Sequence, residues 1–124
     1  MQGRVFAVPQ LPTTLPTLDE LVGVDGVTVE NVAEHLLKLT AGQAPEHGHV
    51  FTLHAELEGM ALLPVFEKLL AGWKAQGYEL VATRDIAATL DRKALPINTV
   101  VMGELPGRSG TLALQGSACE VVKV

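Results

Sequence analysis

The stretch Phe51-Thr52-Leu53-His54-Ala55-Glu56-Leu57-Glu58-Gly59 puts two carboxylates within four residues of an imidazole. Near neutral pH an imidazole can both take and give a proton, which makes His54 a candidate general acid or base. A nearby carboxylate favours the charged ring, and Glu56 and Glu58 are the carboxylates beside it. Val50 to Leu53 are β-branched, aromatic or apolar and read as a short buried strand. An extended backbone there would point His54, Glu56 and Glu58 to the same side. Gly59 and Pro64 prepare a helix, so His54 is predicted at the C-terminal end of a parallel strand that feeds a helix. In α/β folds catalytic side chains collect at that edge. The same residues also suit a hydrogen-bonded strand-end histidine with both glutamates in solvent.

The elements that would position this group alternate. Arg4 to Val8 reads as a strand, followed by a stiff segment with prolines at 9, 12 and 16. Thr17 can cap a short turn whose first residues include Asp19 and Glu20, which suit the positive end of a helix. Thr28 is the expected N-cap of a second helix, with Val32, Leu36, Leu37 and Leu39 as its apolar stripe. From Thr40 to His49 the chain is polar. His47 and His49 there have a metal-like spacing, but only Glu46 lies near as a further ligand, and a solvated loop is the competing reading. A helix from about Ala61 to Gln76 places Leu62, Val65, Phe66, Leu69, Leu70 and Trp73 on one face, and Gly77 is its natural stop. Tyr78 to Ala82 reads as a strand, and Thr83 caps a short helix through Leu90. Asn98 to Leu105 and Thr111 to Leu114 read as further strands, with a tail from Gly116 to Val124 as a candidate edge strand. This order predicts α/β with parallel pairing.

Size and composition bound the function. The 124 residues allow one domain at most, and 48% hydrophobic content with a mean hydropathy of +0.29 supplies a core. Only 4% of residues are aromatic, so the core must come from Leu, Val and Ala. A net charge of −5 with no basic cluster argues against nucleic acid as a partner. Cys119 is the only cysteine, which is compatible with a reducing compartment. No signal-peptide pattern is expected at the N-terminus, and no apolar run approaches the ~20 residues of a membrane span. Four or five expected strands are too few for a closed eight-stranded barrel, so the fold is predicted to be incomplete in this chain.

Two segments carry a resemblance to a known family. Pro9-Gln10-Leu11-Pro12-Thr13-Thr14-Leu15-Pro16-Thr17-Leu18-Asp19-Glu20-Leu21-Val22-Gly23 and Phe51 to Gly59 resemble, in order, stretches near the C-terminus of a bacterial enzyme of the polysaccharide deacetylase (NodB-like) family. The helix ending Gln76-Gly77 and Gly107-Arg108-Ser109-Gly110 fall at the matching places. The likeness spans roughly residues 5 to 115 and leaves 116–124 as a divergent tail. It implies the C-terminal portion of a distorted (β/α) barrel, one single partial domain over 1–124. It further implies a metal-dependent hydrolase that removes a formyl or acetyl group from the amino sugar of a lipid-linked saccharide. That is a lipid A modification of the kind linked to polymyxin resistance.

In that family the histidine of the leucine-histidine motif, here Leu53-His54, serves as general acid. Asp19, Glu56 and Glu58 are the carboxylates available to orient it or to bind substrate, and spacing alone does not say which of them touches it. A metal would polarise the formyl oxygen and activate water, and a carboxylate would take the water proton. The family's base aspartate and its metal-binding aspartate and histidines lie upstream of the matching region and have no equivalent here. A zinc-like divalent metal is therefore expected only with a missing N-terminal part, and this chain alone is expected to be inactive. Leu18 replaces an aromatic residue and Thr111 a tryptophan. Expected partners are the lipid-linked amino sugar and either a second chain supplying the metal half or another copy of this one. Expected placement is cytoplasmic, with peripheral contact at the inner face of the bacterial inner membrane. The alternative is a non-catalytic binding or assembly remnant of the same fold. A metal-binding protein using His47, His49 and His54 is a third reading, with less support.

Overall fold

Past the last of the three early prolines, Thr17 is the first residue free to open a helix. Its backbone is extended (φ −80°, ψ 164°), and its N–H donates to Glu20 Oε2 at 3.0 Å. This starts α1 (Leu18–Leu21) of the computed structural model, which describes residues 5–119. Gly23 and Gly26, at φ 92° and 78°, then turn the chain back toward α2 (Val32–Leu39). Thr28, the expected cap, instead opens a preceding turn. Its carbonyl accepts from the Asn31 and Val32 N–H groups, and Asn31 caps the helix proper.

The described chain forms two compact units. The unit from Thr13 to Val81 holds the core. Leu15, Leu18, Val27, Val32, Ala33 and Leu36 pack there against Val65, Leu69 and Trp73 of α3 (Leu63–Ala75). The i, i+4, i+8 spacing of those three makes one buried stripe, with Leu62 and Leu70 partly buried beside it. Gly72 lets α3 approach α2 closely, because a Cβ there would lie 2.5 Å from both methyls of Leu37 and would force that side chain to move.

Thr40 ties the end of α2 to α3. Its buried hydroxyl accepts from Trp73 Nε1–H at 3.2 Å and donates to Gln76 Oε1 at 2.7 Å. Its carbonyl accepts from the Tyr78 hydroxyl at 2.8 Å. Thr40→Val keeps the volume but orphans the indole N–H, so it is expected to cost about 1–3 kcal/mol. A lower denaturant midpoint at unchanged slope would show it, and an unchanged midpoint would remove Thr40 from this role.

The second unit joins residues 5–12 with residues 82–119. It contains α4 (Thr83–Thr89), whose cap is not Thr83 but Ala82, and the Ala82 N–H donates to Asp85 Oδ2 at 3.1 Å. Its sheet is a hairpin of β1 (Asn98–Gly103) and β2 (Leu112–Ala118), antiparallel with Val101 opposite Leu114. Gly116 and Ser117 together oppose Thr99, which makes a β-bulge.

Several expectations are corrected here. The pairing is antiparallel, because the Glu104–Thr111 connection is far shorter than the dozen or so residues a parallel crossover needs. Within the described residues, 5–8, 50–53 and 78–82 are not strands. Val50 bonds only to Thr14, whose hydroxyl accepts its N–H at 2.9 Å and whose N–H donates to its carbonyl at 2.9 Å. A single pair of this kind is no ladder, and strand-like composition alone does not supply one. Arg4 and the tail beyond Cys119 lie outside the described residues, though β2 does run through Gly116 to Ala118.

Candidate active site

His54 follows the irregular segment 51–53 and begins a helical turn, instead of ending a strand. Its carbonyl accepts from Leu57 N–H at 2.9 Å and Glu58 N–H at 3.0 Å. Its own N–H donates to Glu58 Oε2 at 2.8 Å. The turn continues through Leu57–Ala61, where Met60 leaves helical geometry (φ −129°, ψ −105°) in a kink, and Leu62 N–H closes on the Leu57 carbonyl at 2.8 Å. Pro64 has no N–H for the turn before it, so helix does not run on unbroken into α3.

The ring of His54 meets α1. Its Nδ1 lies 3.4 Å from Asp19 Oδ1, with 31% of the histidine and 43% of the aspartate side chain exposed. At that exposure the ion pair is worth about 0–1 kcal/mol, so its consequence is orientation of the ring more than stability. The contact is within ion-pair range without being an aligned hydrogen bond. Of the buried side-chain polar atoms among the described residues, three have no hydrogen bond: Thr17 Oγ1, His54 Nδ1 and Glu58 Oε1. All three belong to the cap of α1 or to the 54–58 turn.

The two glutamates behave differently from each other and from the shared-side expectation. Helical backbone begins at Ala55, so the alternation of a strand no longer applies. Glu56 is exposed, whereas Glu58 is 1% exposed and turned back on His54. In the 40–49 loop His47 is exposed, but His49 is not simply solvated. Its Nδ1 lies 3.0 Å from the Thr14 hydroxyl, and its ring meets Tyr78 edge-on at 5.9 Å. The structure thus brings His54, Asp19 and Glu58 together and leaves Glu56, His47 and His49 out of that group. Among the described residues no three His, Cys, Asp or Glu side chains converge as a metal-binding set. The sequence marks Thr17 only as the cap of a short turn and does not show the backbone contact of Glu58. The His54-to-Glu58 spacing, one residue longer than a capping box, was the available signal for the latter.

No known family profile matches the chain. Curated proteins do, two of them under one name. The chain is 36% identical over 111 residues to the probable 4-deoxy-4-formamido-L-arabinose-phosphoundecaprenol deformylase ArnD of Shewanella sediminis (strain HAW-EB3), which covers 88% of this chain and 34% of that protein. It is 31% identical over 113 residues to the protein of the same name from Wigglesworthia glossinidia brevipalpis, covering 91% of this chain and 38% of that one. The chain therefore spans about a third of the length of the curated relatives it matches.

Proposed function

We propose that this chain, a homologue of part of the ArnD deformylases and consistent with their C-terminal part, carries the proton-donating end of a lipid A modification hydrolase. The reaction would remove a formyl group from the amino sugar of a lipid-linked saccharide. The observation that carries this reading is the open His54–Asp19 pair, 3.4 Å apart, on the two segments with the strongest resemblance. Amide hydrolysis expels an amine, which leaves only when its nitrogen gains a proton as the C–N bond breaks. With Nδ1 turned to Asp19, the His54 proton that reaches the leaving nitrogen is the one on Nε2.

The residues present do not form a metal site by themselves. Glu58 is enclosed on the His54 N–H, the His49 ring is engaged by Thr14 and Tyr78, and His54 with Asp19 makes only a pair. The divalent metal of such an enzyme, and the remaining strands of its barrel, would belong to the portion of the relatives this chain does not match. Supporting a further partner or self-association, Val5, Phe6, Val8, Leu53, Val100 and Val101 are all exposed. Among the described residues no helix is long and apolar enough to cross a membrane. A polyprenyl-linked substrate would bring the protein into contact with a membrane surface. The natural place for that contact is the cytoplasmic face of the bacterial inner membrane.

Co-expression with a polypeptide equivalent to the unmatched portion of the relatives, followed by an assay of formyl release from a lipid-linked formamido sugar, tests this. Activity is expected only when both parts are present. A folded pair without activity would favour the non-catalytic remnant, and activity of this chain alone would overturn the division of labour.

A further inference from the structure

We propose that Glu58 is a positioning residue, whose buried carboxylate holds the His54 backbone so that the imidazole stays against Asp19. This rests on the reading of His54 as the proton donor. Glu58 is almost fully buried, and among the described residues no cation pairs with it. Enclosing a carboxylate in this way is costly, and apolar side chains of similar volume are often better tolerated. Capping a helix start does not require it, since a hydroxyl or an exposed Glu at the third helical position does so from the surface.

What Glu58 does at that cost is accept from a single donor, the His54 N–H at 2.8 Å, while its Oε1 has no hydrogen bond. The His54 carbonyl is already held by two N–H groups of the same turn. Both backbone ends of His54 are therefore fixed, and only its side-chain torsions remain free. The Asp19 contact then selects the ring orientation. Without the Glu58 bond the His54 N–H lacks this acceptor, the residue swings about its carbonyl anchor, and the 3.4 Å contact is lost.

The test uses the full chain and needs no activity. Ring ¹⁵N NMR of His54 in alkaline buffer, where imidazole is neutral, reports which nitrogen carries the proton. In the wild type the Nδ1–H form is expected to dominate and to be lost on Asp19→Asn. Glu58→Gln keeps an acceptor for the His54 N–H and is expected to keep both results. Glu58→Leu keeps volume without the acceptor. It is expected to fold, by circular dichroism, yet show the tautomer mixture of a free histidine with no response to Asp19→Asn. A folded Glu58→Leu with the wild-type tautomer and response would overturn the proposal. Loss of both in a folded Glu58→Gln would also overturn it, which keeps the test decisive even where the leucine variant does not fold. Failure here would leave His54 standing as acid, whereas activity surviving His54→Ala in the reconstituted enzyme would end that reading and leave the tautomer result untouched.

Discussion

His54→Ala is expected to lower formyl release by the reconstituted enzyme by roughly 10²- to 10⁴-fold, the range for removal of a general acid. That corresponds to about 3–5 kcal/mol of transition-state stabilisation. The loss should fall on kcat, because protonating a leaving amine matters only as the C–N bond breaks. The fold should survive, since the backbone groups of residue 54 that bond Leu57 and Glu58 are unaffected by truncating the ring. The half-buried ring also belongs to no part of the hydrophobic core. Asp19→Asn should cost less, as it only orients the ring. Steady-state kinetics of the pair of chains, with circular dichroism on each variant, checks this. Undiminished turnover in His54→Ala would remove the proposed acid.

What could be read from the sequence depended on how local its cause was. Val65, Leu69 and Trp73 were legible, because a 3.6-residue period needs only the helix itself. The α1 start at Thr17 was legible for the same reason, as Glu20 lies within one turn. The strands at Val50–Leu53 and Tyr78–Ala82 were misread, because strand identity depends on a partner distant in sequence. Composition gave these segments a β preference, and in the described residues no ladder accepts them. The shared side assumed for His54, Glu56 and Glu58 failed with the strand it rested on. Asp19 and His54 could be paired only through the resemblance, as no spacing rule reaches across that separation. The burial of Glu58 ran against the ordinary behaviour of glutamate, and the departure sits beside the candidate proton donor.

The stability of the Thr13–Val81 unit should depend most on Trp73, and Trp73→Ala is expected to cost about 3–5 kcal/mol. Its indole is 7% exposed, packs edge-on to Phe51 at 5.3 Å and donates to the Thr40 hydroxyl at 3.2 Å. Truncation therefore leaves a large cavity and deprives Thr40 of a donor in one step. A unit of about 70 residues has roughly 3.5–10 kcal/mol of stability at ordinary values per residue, so the loss takes a third of it or more. Function should follow, because Phe51 precedes His54 by only three residues and is held against Trp73. Loosening that ring frees the segment that brings His54 to Asp19. Trp73→Phe keeps an aromatic face for Phe51 but no N–H, and should lose distinctly less. Urea unfolding followed by circular dichroism, with the His54 ring signals read in the same samples, checks both consequences. A Trp73→Ala midpoint equal to that of the wild type would mean that α3 is not anchored through this residue. An unchanged His54 signal in a destabilised variant would separate the site from the core.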